Sequence, residues 1–471
     1  MPTFSRLLGT SLLIGSCHLW GAGLSLPAAL ELLENQNLEI KSADLDVKSA
    51  HADANIAQGY NYGSLDFSQS AIRSNDAGNV FGFKLSSREA TFGDFGFNEF
   101  LAPMGQALLG ANSGALTPSD IQNMNSILSI EPKDLNYPGY QNYFQSKLTY
   151  MLPLYTGGKL SAYGDISEKM EKIKKLDAAQ VKTEKIYETR KSYYDMALLQ
   201  NSIDQMNIIL KNISTLERTT QMMIQEGYAK KVDLLEVEAK KSNVERAITE
   251  MEANKKLLYH YLSFLLNEPV TEIELPRNDY PASTLSESEV LENNTDLKKA
   301  KEGLDIRDRM VDVAYAPFLP QVGAFAEASS ADNTFLGDFN DHKAYTIGAK
   351  LSWNLFNGGV DKNGVEKARV EKLKTATQVE LAKKGIALQY DKIQTEIESL
   401  NAQVKSLTKE LELANQIYMN YEGRYHEHLA SMSDVIIKQS SQIEKILNLQ
   451  AVKNKRNERI FALEKLSNGV K

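Results

Sequence analysis

Between residues 345 and 355 apolar and polar positions alternate without a break. Tyr345, Ile347, Ala349, Leu351, Trp353 and Leu355 fall on one side, and Thr346, Gly348, Lys350, Ser352 and Asn354 on the other. A period of two predicts a strand with unlike faces. A tilted membrane-spanning strand needs about 9–11 residues, and this run supplies them before Gly358 and Gly359. The stretch 144–158 repeats the pattern, with Phe144, Leu148, Tyr150, Leu152 and Leu154 set against Gln145, Lys147 and Thr149. It also ends in a glycine pair, Gly157 and Gly158. A polar face carrying Lys147 and Lys350, flanked by Tyr143, Tyr155 and Phe356, suits a barrel wall that is wet inside and apolar outside. Two less regular strands are expected at 60–71 and 321–329.

Behind each glycine pair the period becomes helical. Ile166, Met170, Ile173 and Leu176, then Ile203, Met206, Leu210, Ile213 and Leu216, advance by threes and fours. Such spacing over many turns predicts coiled-coil packing. The helix expected at 160–226 would be about 100 Å long at 1.5 Å per residue. Gly227 ends it, and a return helix is expected at 232–266. The second half repeats this with helices at 362–427 and 433–466. A further helical stripe (Leu26, Leu30, Leu33, Leu38, Leu45, Val47, Ile56) covers 24–59.

These landmarks recur at one spacing. Gly157 and Gly358 lie 201 residues apart, and so do Asp233 and Asp434. Residues 32–47 also correspond to 290–306, with one extra residue in the second copy. The reading is a duplication, with a first repeat at 24–266, a linker at 267–286 containing Pro269, Pro276 and Pro281, and a second repeat at 287–471. The first copy holds 58 residues more, at about 72–141. That surplus reads as a long external loop, with short helices inside it because a structureless loop of that length is uncommon.

Composition narrows the function. At 42% hydrophobic and 24% charged the chain has the make-up of a folded protein, and its net charge of −8 opposes general nucleic-acid binding. No phosphate loop, HExxH motif or cysteine cluster is present, so no catalytic, cofactor or metal site is expected. His426 and His428, two apart, would not face each other on a helix. Residues 1–23 read as a secretory leader: Arg6, an apolar core at 7–14, and small residues Gly21, Ala22 and Gly23 for cleavage. The run Ile14-Gly15-Ser16-Cys17 also resembles a lipoprotein box, which makes Cys17, the only cysteine, a candidate for lipidation. Both readings stay open. Beyond residue 30 no apolar run reaches 18 residues, so a closed β-barrel is the remaining route across a bilayer.

The order helix, two strands, long helix, return helix, all duplicated, resembles the TolC-type bacterial outer membrane efflux protein family. The resemblance is carried by LPLYTGGK (152–159), LSWNLFNGG (351–359) and the turns around 227–235 and 431–436. FGFKLSSREATFGDF (81–95) also resembles an external-loop segment of some members. The resemblance implies a mainly α fold with a β-barrel part. Three chains would give four strands each to a twelve-stranded outer-membrane barrel, continuous with a periplasmic tunnel of antiparallel coiled-coil helices. Four strands cannot close a barrel alone, so oligomerisation is required on physical grounds, while the number three comes from the resemblance.

It also implies a passive exit duct of a tripartite efflux or type I secretion system. The partners would be a periplasmic adaptor, an inner-membrane transporter and outer-membrane lipid. Asp233, Asp434 and Tyr425 would form the tunnel entrance gate, and Gly227, Tyr228, His428 and Ser431 the adaptor-docking turns. Gly157, Gly158, Gly358 and Gly359 would make the strand-to-helix junctions. Three positions depart from the family pattern: His428 stands at a glycine position, Ala430 at a basic one and Ile437 at a second acidic one. Asp233 and Asp434 also fit plain helix-start duty. A structural coiled-coil protein of a secreted tip or filament is the competing reading.

Overall fold

The computed structural model describes residues 23–110, 118–276, 280–281, 283–337 and 340–468. The expected leader, apart from Gly23, and Cys17 lie outside the described residues. In chain order the elements are α1 (Leu26–Gln36), α2 (Leu38–Gly59), β1 (Ser64–Ser74), α3 (Ala77–Ser86), α4 (Phe97–Gly110), α5 (Pro118–Ile127), α6 (Lys133–Asn136), β2 (Gln141–Tyr155), α7 (Lys159–Gln225) and α8 (Lys231–Leu266). There follow α9 (Glu287–Asn293), α10 (Thr295–Tyr315), β3 (Gln321–Asp332), β4 (Lys343–Ser352), α11 (Val360–His426) and α12 (Met432–Leu466). The chain forms two compact units that interleave along it. One comprises residues 52–168 and 306–372, the other 1–51, 169–305 and 373–471.

The first of these units holds one antiparallel sheet of order β1-β2-β3-β4. Direct cross-strand partners share a face. Phe67 meets Leu148, Leu148 meets Ala328, and Ala328 meets Tyr345, while the next row joins Leu65, Tyr150, Ala326 and Ile347. That face is apolar, yet none of the described residues covers it, and Ile347 is 75% exposed. The opposite face carries Ser68, Lys147, Thr149, Glu327, Thr346 and Lys350, and Lys147 Nζ pairs with Glu327 Oε2 at 2.6 Å. Between β1 and β2 lie α3 to α6, the short helices expected in the surplus.

Two strand limits fall inside those read from the sequence. The alternation through Leu355 outlasts β4, which ends at Ser352 because Trp353 turns its indole N–H to the Phe318 carbonyl (3.0 Å) and leaves the ladder. At the other edge, Tyr60–Tyr62 is a 3-10 turn closed by Gly63 N–H to Tyr60 O, so β1 starts only at Ser64.

The second unit is helical. The stripe at 24–59 is two helices rather than one, broken at Asn37. Asn37 Oδ1 accepts the Ile40 N–H (2.9 Å), and its Nδ2 donates to Leu265 O at the end of α8 (2.8 Å). Asn294 repeats this between α9 and α10, accepting from Leu297 N (2.9 Å) and donating to Leu466 O at the end of α12 (2.9 Å). A buried asparagine whose polar atoms are all used both caps a helix and ties it to a hairpin. The segment after α8 is pinned by Tyr280. Its hydroxyl lies 2.9 Å from both carboxylate oxygens of Glu464, which also accepts from Arg190 (2.8 Å). Burial raises the Glu464 pKa, and the Tyr280 and Arg190 bonds counter it.

Candidate functional site

The helix turns after α7 and α11 come together in one cluster. Both helices end with the same backbone bonds. Tyr228 N–H donates to Met223 O (2.8 Å) after α7, and Leu429 N–H donates to Arg424 O (2.8 Å) after α11. Such a bond needs one residue in the left-handed region. Gly227 supplies it at φ +84°, and His428 supplies it at φ +61°. The imidazole therefore takes the glycine's place without changing the turn. The two turns touch: the Tyr228 and His428 rings lie 4.9 Å apart at 35°.

Each return helix starts on its aspartate. Asp233 Oδ2 accepts the Lys230 N–H (2.8 Å). Asp434 Oδ2 accepts the Ser431 hydroxyl (2.6 Å) and N–H (3.2 Å), and the Ser431 hydroxyl in turn accepts the Asp434 N–H (3.2 Å). This is a capping box. The Ser431 hydroxyl lowers the Asp434 pKa most, followed by its N–H, with Lys438 and Arg424 adding attraction. Arg424 and Lys438 are cations that the sequence reading, looking at Ala430, missed. Both also lie over the Tyr421 ring, at 5.5 and 5.1 Å. Ile437 is exposed, so no second carboxylate stands one turn beyond Asp434.

Tyr425 bridges the two hairpins. Its ring is buried in the core formed by Met206, Ile213, Leu216, Val237, Val435 and their neighbours. Its hydroxyl lies 3.4 Å from that of Thr220 on α7. Burial raises the Tyr425 pKa, the Thr220 bond opposes this, and the charge of Asp233 adds to the rise. Two more polar bridges join the hairpins, Ser433 to Glu236 (2.9 Å) and Lys240 to Ser440 (2.8 Å). They could not be read from the sequence because serine and lysine at those spacings look like ordinary solvated positions.

The strand-to-helix junctions use successive left-handed residues, Gly157 (+64°) with Gly158 (+81°) and Gly358 (+70°) with Gly359 (+84°). They differ in crowding. A Cβ on Gly157 would lie 2.6 Å from the Ala316 carbonyl oxygen, whereas one on Gly358 would meet nothing within 4 Å. Among the described residues no helix is long and apolar enough to cross a membrane.

Solved outer-membrane channels share this architecture. The chain superposes on the outer membrane protein VceC of Vibrio cholerae with a TM-score of 0.73 and 16% identity, over 94% of this chain and 96% of that one. For the Campylobacter jejuni CmeC channel the values are 0.72, 15%, 94% and 85%. For the open Neisseria gonorrhoeae MtrE channel they are 0.73, 13%, 94% and 89%. The fold is therefore that of the TolC-type outer-membrane channels. Residues 287–469 match the family model for outer membrane efflux proteins. That family is one of efflux channels, not of enzymes. No curated protein sequence matches the chain.

Proposed function

We propose that three copies of this chain form a passive outer-membrane duct of a tripartite efflux or type I secretion system. The duct would take cargo from an inner-membrane transporter through a periplasmic adaptor. The observation that carries this reading is the sheet. One face is apolar and uncovered by any described residue, the other is polar with a Lys147–Glu327 ion pair, and the two edge strands have no partner among the described residues. A four-stranded sheet of this kind has a stable place only in a closed, lipid-facing barrel built with other copies. An uncovered apolar sheet face would be a liability in a soluble tip or filament subunit.

On this reading the paired turns form the periplasmic entrance. Asp233, Asp434 and Tyr425 line or brace it, and Tyr228, His428 and the flanking Gly227 and Ser431 present the surface that an adaptor would engage. A ring of carboxylates from several copies favours cations. Planar-bilayer recordings of the purified protein test this. The doubly neutralised D233N/D434N variant is expected to lose most of the wild-type cation preference while remaining a trimer. An unchanged reversal potential would remove these residues from the entrance.

A further inference from the structure

The described residues of the long β1–β2 loop form a packed apolar assembly rather than a solvated tether. Glu99 on α4 accepts the N–H groups of Lys133 (2.9 Å) and Asp134 (3.1 Å), fixing α4 to the start of α6. Lys84 and Asp94 form an ion pair that holds α3 to the 3-10 turn Phe92–Phe95. Asn333 donates to Glu89 (2.9 Å), which ties the loop to the β3–β4 connection. Within this frame Phe95, Phe97, Phe100, Ile127, Leu128 and Pro132 line an open apolar cavity of ≈ 240 Å³. Cavities of about 150 Å³ already admit a benzene-sized group, so a leucine side chain fits.

The matching knob is on the same loop. From Phe100 to Ser119 the sequence carries no charged residue. Leu108 and Leu109, at the far end of α4 from the cavity, are 60% and 76% exposed. Phe97 and Leu109 are about 18 Å apart along the helix at 1.5 Å per residue. Knob and cavity therefore sit at opposite ends of α4. A ring made by rotation needs two different, complementary patches on each copy, the arrangement of a heterologous interface.

The occupant is a second copy because of where the loop is attached. It leaves β1, which is an edge strand of the sheet, and on the trimeric reading above that edge is where the next copy's β4 must pair. We propose that Leu108 and Leu109 of one protomer seat in the Phe97–Leu128 cavity of its neighbour, so that the three external loops close into a head-to-tail ring. The inference rests on the trimeric reading and adds a second, apolar contact to the strand pairing.

Cross-linking tests it on the full chain. Two differently tagged variants, L109C and L128C, are co-expressed, and outer membranes are treated with a short bismaleimide. The expected result is a covalent dimer carrying both tags, while L109C alone gives none. If assembly of either variant fails, L108C with F97C repeats the test. A native-mass trimer that yields no mixed-tag product overturns the ring of loops alone. Absence of any trimer from the unmodified chain overturns the trimeric reading beneath it.

Discussion

His428 holds the left-handed turn position of the second hairpin at φ +61°, as Gly227 holds that of the first at φ +84°, and its ring rests on Tyr228 at 4.9 Å. A residue with a Cβ costs about 1–2 kcal/mol in that region. G227A should therefore lower stability by about that much. H428G relieves a similar strain but loses a ring contact worth about 0.5–1.5 kcal/mol, so its net effect should be near zero. Thermal melts of the two purified variants check this, and a large loss for H428G would show that the ring contact outweighs the strain.

The two strand-to-helix junctions should respond unequally. G358A meets open space and bears only the backbone strain, about 1–2 kcal/mol. G157A bears the same strain and also drives its Cβ to 2.6 Å from the Ala316 carbonyl oxygen. Yield of assembled protein in the outer membrane should fall much further for G157A than for G358A. Equal yields would mean that the segment ending β2 shifts freely.

Tyr425 and Thr220 form one of the contacts that cross between the hairpins near the paired turns. Y425F keeps the buried ring and removes a hydrogen bond of about 0.5–1.5 kcal/mol. Channel openings in bilayers should become more frequent by a few-fold, and T220V should act alike. Because the two residues share one bond, the double variant should open no more often than either single one. Additive effects would separate their roles.

The Lys84 bond, followed by the Thr91 N–H, holds Asp94 at about 2, against an ordinary value of 3.8. A depressed carboxylate contributes stability above its unfolded pKa and loses it as pH falls through the folded one. The order of the β1–β2 loop should thus be constant above about pH 4 and decline toward pH 2. Amide exchange across 84–95 reads this out. K84M should flatten the pH response, and a wild-type loop indifferent to acid would discount the ion pair.

On the sheet's polar face Lys147 and Glu327 cancel each other. If that face lines the duct, E327Q leaves Asp66 as the carboxylate facing Lys147 and Lys350 and should move the reversal potential toward anions, while K147Q should move it toward cations. Both shifts should shrink at high salt, where screening is short-ranged. Identical potentials for all three proteins would place the pair away from the permeation path.

The long elements were legible because their signal is averaged over many turns. The helix expected at 160–226 is Lys159–Gln225, and that expected at 362–427 is Val360–His426. Features set by single side chains were not. The break at Asn37 depends on one asparagine amide reaching Leu265, and the early end of β4 on one indole N–H reaching Phe318. At the paired turns the sequence singled out Asp233, Asp434 and Tyr425, but not the partners Thr220, Arg424 and Lys438. Thr220 lies across a helix packing and Arg424 across the turn, where spacing along the chain carries no signal, whereas Lys438 stands at i+4 from Asp434 on α12 and was legible by helical spacing.

The central claim is that this chain contributes a fraction of a closed barrel, and particle mass tests it most directly. Protein extracted from outer membranes in mild detergent is measured by light scattering with the detergent contribution subtracted. The account predicts a particle of about three times the 52.6 kDa chain, less any leader removed, that conducts ions when reconstituted. A soluble or monomeric species without conductance would contradict the barrel, and with it the entrance assigned to Asp233, Asp434 and Tyr425.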